Sequence, residues 1–231
     1  MSNEVLLIIN LLVVYSAVLV FYKLFGSKGL LCWTVFATIA ANIEVLILIK
    51  AYGMEQTLGN ILFASTFIVT DVLSEVQGKK KANEAVNIGI IVSAMFIVVS
   101  QIWLNYLPSE NDQIFPHMQA VLSNTPRVMF AGLLVYAVVQ RFDVWLYHKV
   151  WQKTTDRYGC KNKFLWFRNN ASTLISQLLN TVLFTIAAFY GVYETAVLVD
   201  IIYTSYIIFI VTSITDTPVV YLARKIQPLD K

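Results

Sequence analysis

Two carboxylates stand one helical turn apart at the end of an apolar stretch that finishes near residue 78. Asp71 and Glu75 are four residues apart, so they share one face of a helix, and the three lysines at 79–81 follow almost at once. A charge near the bilayer centre costs about 2.5–3.5 kcal/mol on insertion scales, so ionisable groups there face a cavity or a partner. The pair therefore predicts a pathway for a polar solute at the edge of a membrane.

Polar side chains also interrupt other apolar stretches of the chain. Gln140 and Asp143 are three residues apart, as are Gln177 and Asn180, so each pair faces one side of a helix. Glu44 adds a further acid. We predict that the solute contacts Glu44, Gln140, Asp143, Gln177 and Asn180, because carboxylates and amides together can bind a planar polar molecule. For the amides, hydrogen bonding between helices is an equally good interpretation.

A second predicted feature is a gate on the cytoplasmic side. We expect Asp71 and Glu75 to form an ion-pair network there with Arg168. The alternative is that carboxylates beside lysines at a helix end only fix the orientation of that helix in the membrane.

The composition indicates the elements that would position these residues. Of the 231 residues, 58% are hydrophobic and 13% are charged, which is typical of an integral membrane protein. About 20 apolar residues are needed for one helical crossing. We therefore predict an all-α, polytopic membrane protein with six or seven transmembrane helices, forming a single domain over residues 1–231. The candidate segments are 5–23, 30–50, 57–77, 84–107, 125–148, 169–190 and 195–222.

Lysine and arginine occur in alternate connections between these segments. They cluster at 23–28, 79–81, 149–168 and 224–231, whereas 107–125 and 191–195 contain none. Because basic residues remain in the cytoplasm, this alternation predicts an external N-terminus and a cytoplasmic C-terminus. The net charge of +3 is explained by this topology and not by nucleic-acid binding.

Histidine and cysteine provide no recognisable catalytic or metal site. His117 and His148 are isolated, and Cys32 and Cys160 both fall on the predicted cytoplasmic side, where a structural disulfide is not expected. No serine or cysteine is paired with a nearby histidine as a nucleophile would require. We therefore expect neither an enzyme nor a bound cofactor.

Three blocks of sequence resemble one known family, the queuosine precursor transporters, also called vitamin uptake transporter-like proteins of the bacterial inner membrane. The first block covers residues 70–80, and the second runs from Pro126-Arg127 to Gln140 and Asp143. The third runs from Arg168 to Asn180 and Thr181, with support from Asp216-Thr217-Pro218 and Tyr221. The resemblance extends from the third segment to near the end of the chain. Asn180 departs from the family pattern, which usually has an aspartate there, so Asp143 becomes the stronger acidic candidate.

The resemblance implies import of 7-cyano-7-deazaguanine, or its aminomethyl relative, for tRNA modification. The expected partners are this deazapurine base and the lipid bilayer, without direct contact to nucleic acid. Two alternatives remain open at this point. One is a vitamin-binding membrane subunit of an ATP-driven importer, and the other is an intramembrane enzyme or an assembly factor without a solute.

Overall fold

A computed structural model of the chain describes residues 2–123, 126–159 and 163–229. Thr125, the first residue of one predicted segment, lies outside the described residues, as do Cys160, Lys161 and Lys231.

The described elements are almost entirely helical. In chain order they are α1 (Asn3–Glu44), β1 (Leu48–Ala51), β2 (Met54–Thr57), α2 (Asn60–Gln77), α3 (Lys79–Trp103), α4 (Phe115–Ser123), α5 (Pro126–Tyr158), α6 (Leu165–Phe189) and α7 (Thr195–Lys225).

Helix α1 is a pair of antiparallel helices. As one straight rod, its 42 residues would measure about 63 Å, roughly twice the thickness of the hydrocarbon core. The chain reverses at Gly26, where φ is 54° and ψ is −138°, a conformation that side chains with a Cβ rarely adopt. The reversal brings the ring centroids of Phe21 and Trp33 within 5.5 Å. Residues 3–25 and 27–44 therefore form separate segments, as the sequence predicts.

The bundle has two ends, which we call the N-face and the C-face. At the N-face the Glu4 carboxylate accepts a hydrogen bond of 3.0 Å from the backbone N–H of Tyr52. At the C-face the backbone N–H of Leu229 donates to the carbonyl of Lys23 at 2.9 Å. The reversal at residue 26 and the junction of α2 with α3 at Gly78 belong to the C-face. The β1–β2 hairpin and α4 belong to the N-face.

Five described helices are long and apolar enough to cross a membrane: α1, α3, α5, α6 and α7. Because α1 folds back on itself, it provides two segments. Helix α2, with 18 residues, is buried along most of its length and packs against α1, α3, α5 and α7. Besides the short α4, the described residues thus contain seven long antiparallel helical segments, which confirms the predicted all-α polytopic fold.

The predicted segment 30–50 is too long at its C-terminal end. The helix stops at Glu44, and Leu48 to Thr57 form an antiparallel hairpin in which Leu48 pairs with Thr57. Tyr52 and Gly53 both have positive φ, of 52° and 75°, as a two-residue hairpin turn requires. The apolar run at 45–49 continues from the helix into β1, and a run this short does not distinguish a helix from a strand.

The predicted connection 149–168 is too long, because helices occupy most of it. Helix α5 continues to Tyr158 and α6 begins at Leu165. Arg168 therefore lies in the first turn of α6, where its side chain is fully buried.

Candidate functional site

Polar side chains are concentrated in the centre of the bundle, between α2, α5, α6 and α7. Hydrocarbon offers no hydrogen bonds, so a polar group in a membrane helix is stable only when it faces protein or a cavity. The buried side chains with an acid or amide group in this region are Asp71, Gln140, Asp143, Asn169, Gln177, Asn180 and Asp216.

A cavity of about 90 Å³ lies above this polar centre, towards the N-face. This volume is several times the roughly 10–15 Å³ that one water molecule needs. Its wall combines aromatic rings with amide and hydroxyl groups from six helices and β2. The rings belong to Phe63, Tyr136, Phe184, Phe189 and Phe209, and the amides to Asn42, Asn60 and Asn180.

Close packing with a neighbouring helix positions one of the wall residues, Tyr136. Gly89 on α3 has no side chain, which lets the Tyr136 hydroxyl of α5 occupy the space that a Cβ would take. The Tyr136 ring is then fixed edge-to-face against Phe63 of α2, with 6.1 Å between centroids. The aromatic wall is therefore held in place by close packing between three helices.

Four of the five predicted solute-contacting residues follow one another from this cavity into the bundle. Asn180 on α6 lines the cavity. Gln177 is three residues deeper on the same helix, about 4.5 Å along its axis. It is fully buried, and neither atom of its amide group has a hydrogen-bond partner among the described residues. Asp143 is also fully buried, and neither of its carboxylate oxygens accepts a hydrogen bond from a described residue.

Gln140 is held by the protein itself. Its amide nitrogen donates to the Thr66 hydroxyl at 2.7 Å, and its amide oxygen accepts from Thr70 at 3.4 Å. These contacts match the alternative that the sequence leaves open for amides, namely hydrogen bonding between helices.

Glu44 lies apart from the other four predicted residues. It is half-buried at the N-face end of α1, beside the cavity residues Asn42 and Val45. The fold thus brings Gln140, Asp143, Gln177 and Asn180 together through α5 and α6, and places Glu44 at the rim.

The C-face is closed by an ion pair that the sequence predicts. Arg168 donates to both carboxylate oxygens of Glu75, at 2.7 and 2.6 Å, and the two side chains are 0% and 2% exposed. Arg224 reaches the same carboxylate at 3.3 Å, and the Tyr147 hydroxyl donates to it at 2.8 Å. The Arg168 guanidinium also lies 4.2 Å from the centroid of the Trp151 ring. We call these five residues the C-face cluster.

Asp71, which the sequence groups with Glu75 and Arg168, lies one turn deeper. Its Oδ2 accepts a hydrogen bond of 3.2 Å from the Thr173 hydroxyl of α6. The residues that sequence reasoning did not assign to any site are Tyr147, Trp151, Arg224 and Asp216. Only Asp216 carried a visible signal, since it is an acid within an apolar segment.

Comparisons with known proteins agree with this architecture. The family described as "putative vitamin uptake transporter" matches residues 57–223. A protein of Bacillus subtilis (strain 168) named "Probable queuosine precursor transporter" is 33% identical over 231 residues, covering 100% of this chain and 99% of that protein. No solved structure matches the chain. These matches confirm the predicted resemblance, and they confirm a multi-pass membrane transporter, as opposed to an enzyme.

Proposed function

Because this chain belongs to the vitamin uptake transporter family, we propose that it imports a 7-deazaguanine precursor of queuosine across the bacterial inner membrane. The observation that carries the proposal is the cavity at the N-face, whose aromatic walls and amide groups suit a flat heteroaromatic solute. The full-length relative with a queuosine precursor transporter name supports the same substrate class.

The chemistry of the solute fits the groups that line the cavity and those that lie just deeper in the bundle. A guanine-like edge offers an N1–H and a 2-amino group as donors, and a carboxylate can accept both at once. Asp143 has both oxygens available for this role. The ring carbonyl needs a donor, which the amide nitrogens of Gln177 and Asn180 supply. The rings of Phe63 and Tyr136 offer faces or edges for stacking.

The two ends of the bundle support an alternating-access cycle. The cavity lies towards the N-face, whereas the C-face cluster blocks the way to the other side. We propose that Glu75 and Arg168 form the gate, and that their separation opens the site to the cytoplasm. Asp71, one turn deeper, belongs to the polar centre and not to the gate itself.

The orientation follows from the distribution of basic residues. Lysines and arginines lie mostly at the C-face, so we place the C-face and the C-terminus in the cytoplasm and the cavity on the outside. The chain acts as a single membrane domain that contacts the base and the bilayer but not nucleic acid.

The test is uptake of labelled 7-cyano-7-deazaguanine by cells that cannot synthesise it, with queuosine in tRNA as the endpoint. We expect the wild-type chain to restore queuosine. Asn180→Leu should reduce uptake by about 5- to 100-fold, because a lost buried hydrogen bond to the solute costs about 1–3 kcal/mol. Asn105→Leu is the matched control, since Asn105 is an exposed amide just beyond the N-face end of α3.

Two results would overturn the proposal. One is the absence of queuosine in cells whose membranes contain the wild-type chain. The other is uptake that needs a co-expressed ATPase, which would make the chain a binding subunit of a larger importer.

A further inference from the structure

Three fully buried aspartates from three helices approach one another inside the bundle. Asp71 of α2, Asp143 of α5 and Asp216 of α7 are 1%, 0% and 0% exposed. Asp71 interacts electrostatically with both of the others, and Asp216 also interacts with Asp143. Of their oxygens, only Oδ2 of Asp71 accepts a hydrogen bond from a described residue. We call these three residues the acid cluster.

An unused donor also points into the acid cluster. Ser176 of α6 is fully buried, its hydroxyl faces the Asp143 carboxylate, and it has no hydrogen-bond partner among the described residues. On the far side, the Tyr15 hydroxyl of α1 lies beside Asp216 and donates to the carbonyl of Thr212 at 3.3 Å. Several buried polar atoms in this region thus lack hydrogen-bond partners among the described residues.

In the described part of the chain, the groups that interact with Asp71, Asp143 and Asp216 are other acids and hydroxyls, not cations. Arg168 already binds Glu75 through three hydrogen bonds. Among the described residues, the titratable groups Tyr15, Asp71 and Asp143 interact with Asp216. Around Asp216, α6 contributes the uncharged amides Asn169 and Asn170, which reach Thr217. Three ionised carboxylates cannot be stable together in such surroundings, so protons must occupy part of the cluster.

We propose that Asp216, together with Asp71, binds the proton whose entry drives uptake of the solute. The inference rests on the proposed transport function and assigns its energy source. Asp143 remains the carboxylate that accepts the donors of the solute.

Electrostatic repulsion couples the two ligands. When Asp71 and Asp216 carry protons, their negative charges no longer oppose ionisation of Asp143, which must be ionised to accept both donors of a guanine-like edge. Proton binding therefore strengthens solute binding. By linkage, solute binding strengthens proton binding to the same degree, and this reciprocity is the basis of symport.

A route for release leads from the acid cluster to the C-face. The Tyr147 hydroxyl interacts with Asp71 and donates to Glu75. Glu75, in turn, borders a second cavity that is also lined by His148 and Lys79. Opening of the C-face cluster would expose this route and let the proton leave on the same side as the solute.

A metal cation is the main alternative occupant. The described histidine, cysteine, aspartate and glutamate side chains include no group of three or more that is arranged to hold a metal ion. The acid cluster therefore fits protons better than a metal ion, because each carboxylate can bind a proton by itself.

The test uses the purified full chain in proteoliposomes with labelled 7-cyano-7-deazaguanine. One readout is accumulation driven by an imposed pH gradient, alkaline inside, and the other is counterflow against unlabelled solute without any gradient. For one proton per solute, we expect about tenfold accumulation per pH unit in the wild type. Asp216→Asn should abolish accumulation and retain counterflow, with counterflow no longer dependent on pH. Asp200→Asn, an exposed acid on the same helix, is the control and should behave as the wild type does.

The outcomes separate the two claims. Absence of wild-type counterflow would contradict the proposed transport function. Wild-type counterflow together with accumulation driven by a sodium gradient, but not by a pH gradient, would overturn the proton proposal alone. Gradient-driven accumulation by Asp216→Asn would overturn the role of Asp216.

A second measurement does not depend on any variant and decides the case in which Asp216→Asn fails to fold. Wild-type protein in weakly buffered detergent should take up about one proton for each solute that binds near neutral pH. Solute binding without proton uptake would overturn the proposal.

Discussion

Replacement of Glu75 by glutamine should shift the protein away from the conformation in which the cavity faces the N-face. In that conformation Glu75 and Arg168 are 2.6 Å apart and buried. Loss of one partner from a buried ion pair costs about 3–5 kcal/mol, because the remaining charge is left uncompensated. In the opposite conformation water can reach Arg168, so the cost there is small.

The conformational equilibrium should therefore shift by about 100- to 4,000-fold. A shift of this size reverses any preference for the N-face-open state that is smaller than about 3 kcal/mol. The assay is the rate at which a membrane-impermeant maleimide labels Ser205→Cys, a reporter in the cavity wall, with Cys32 and Cys160 changed to serine. We expect Glu75→Gln to slow labelling at least tenfold.

Two further variants separate a gate from general destabilisation. Glu84→Gln breaks an exposed pair with Lys81, 2.8 Å long, and should leave labelling unchanged because such pairs contribute about 0–1 kcal/mol. Glu75→Gln combined with Arg168→Gln removes both buried charges and should restore most of the labelling. Unchanged labelling in Glu75→Gln, or a double variant that is labelled more slowly than the single one, would contradict a gating role for the Glu75–Arg168 pair.

Two glycine substitutions test the packing on which the site depends. Gly89→Ala should lower the free energy of unfolding by about 1–3 kcal/mol, because its Cβ would overlap the Tyr136 hydroxyl; Gly132→Ala is the control, since its Cβ would meet Phe184 at an ordinary 3.7 Å. Gly26→Ala should cost about 1–3 kcal/mol, because alanine is strained at φ 54° and ψ −138°. Thermal unfolding in detergent measures both effects. Equal unfolding midpoints for Gly89→Ala and Gly132→Ala would contradict the first prediction. A Gly26→Ala midpoint equal to that of the wild type would contradict the second.

The membrane fold could be predicted because its causes are local. Apolar stretches of about 20 residues and the alternation of basic connections follow directly from the bilayer. The reversal at Gly26 agrees with a break between two predicted segments. The hairpin from Leu48 to Thr57 was missed because the apolar run at 45–49 continues from the helix into β1, and a short apolar run does not distinguish a helix from a strand.

The site residues that could be predicted are those whose types are rare in membrane helices. Glu75 and Asp143 stand out as acids in apolar surroundings, and both occupy the polar centre of the bundle or its C-face end. Arg224 and Tyr147 do not stand out, because a basic residue near a helix end or a tyrosine in a membrane helix is common. Their approach to Glu75 depends on how distant helices pack.

The most direct test of the central claim is the initial rate of uptake of labelled 7-cyano-7-deazaguanine into vesicles that contain only the purified chain. We predict saturable uptake by the wild type and by Asn105→Leu, and a reduction of at least about fivefold in Asn180→Leu. Wild-type uptake that rises linearly with concentration and equals that of empty vesicles would contradict the account.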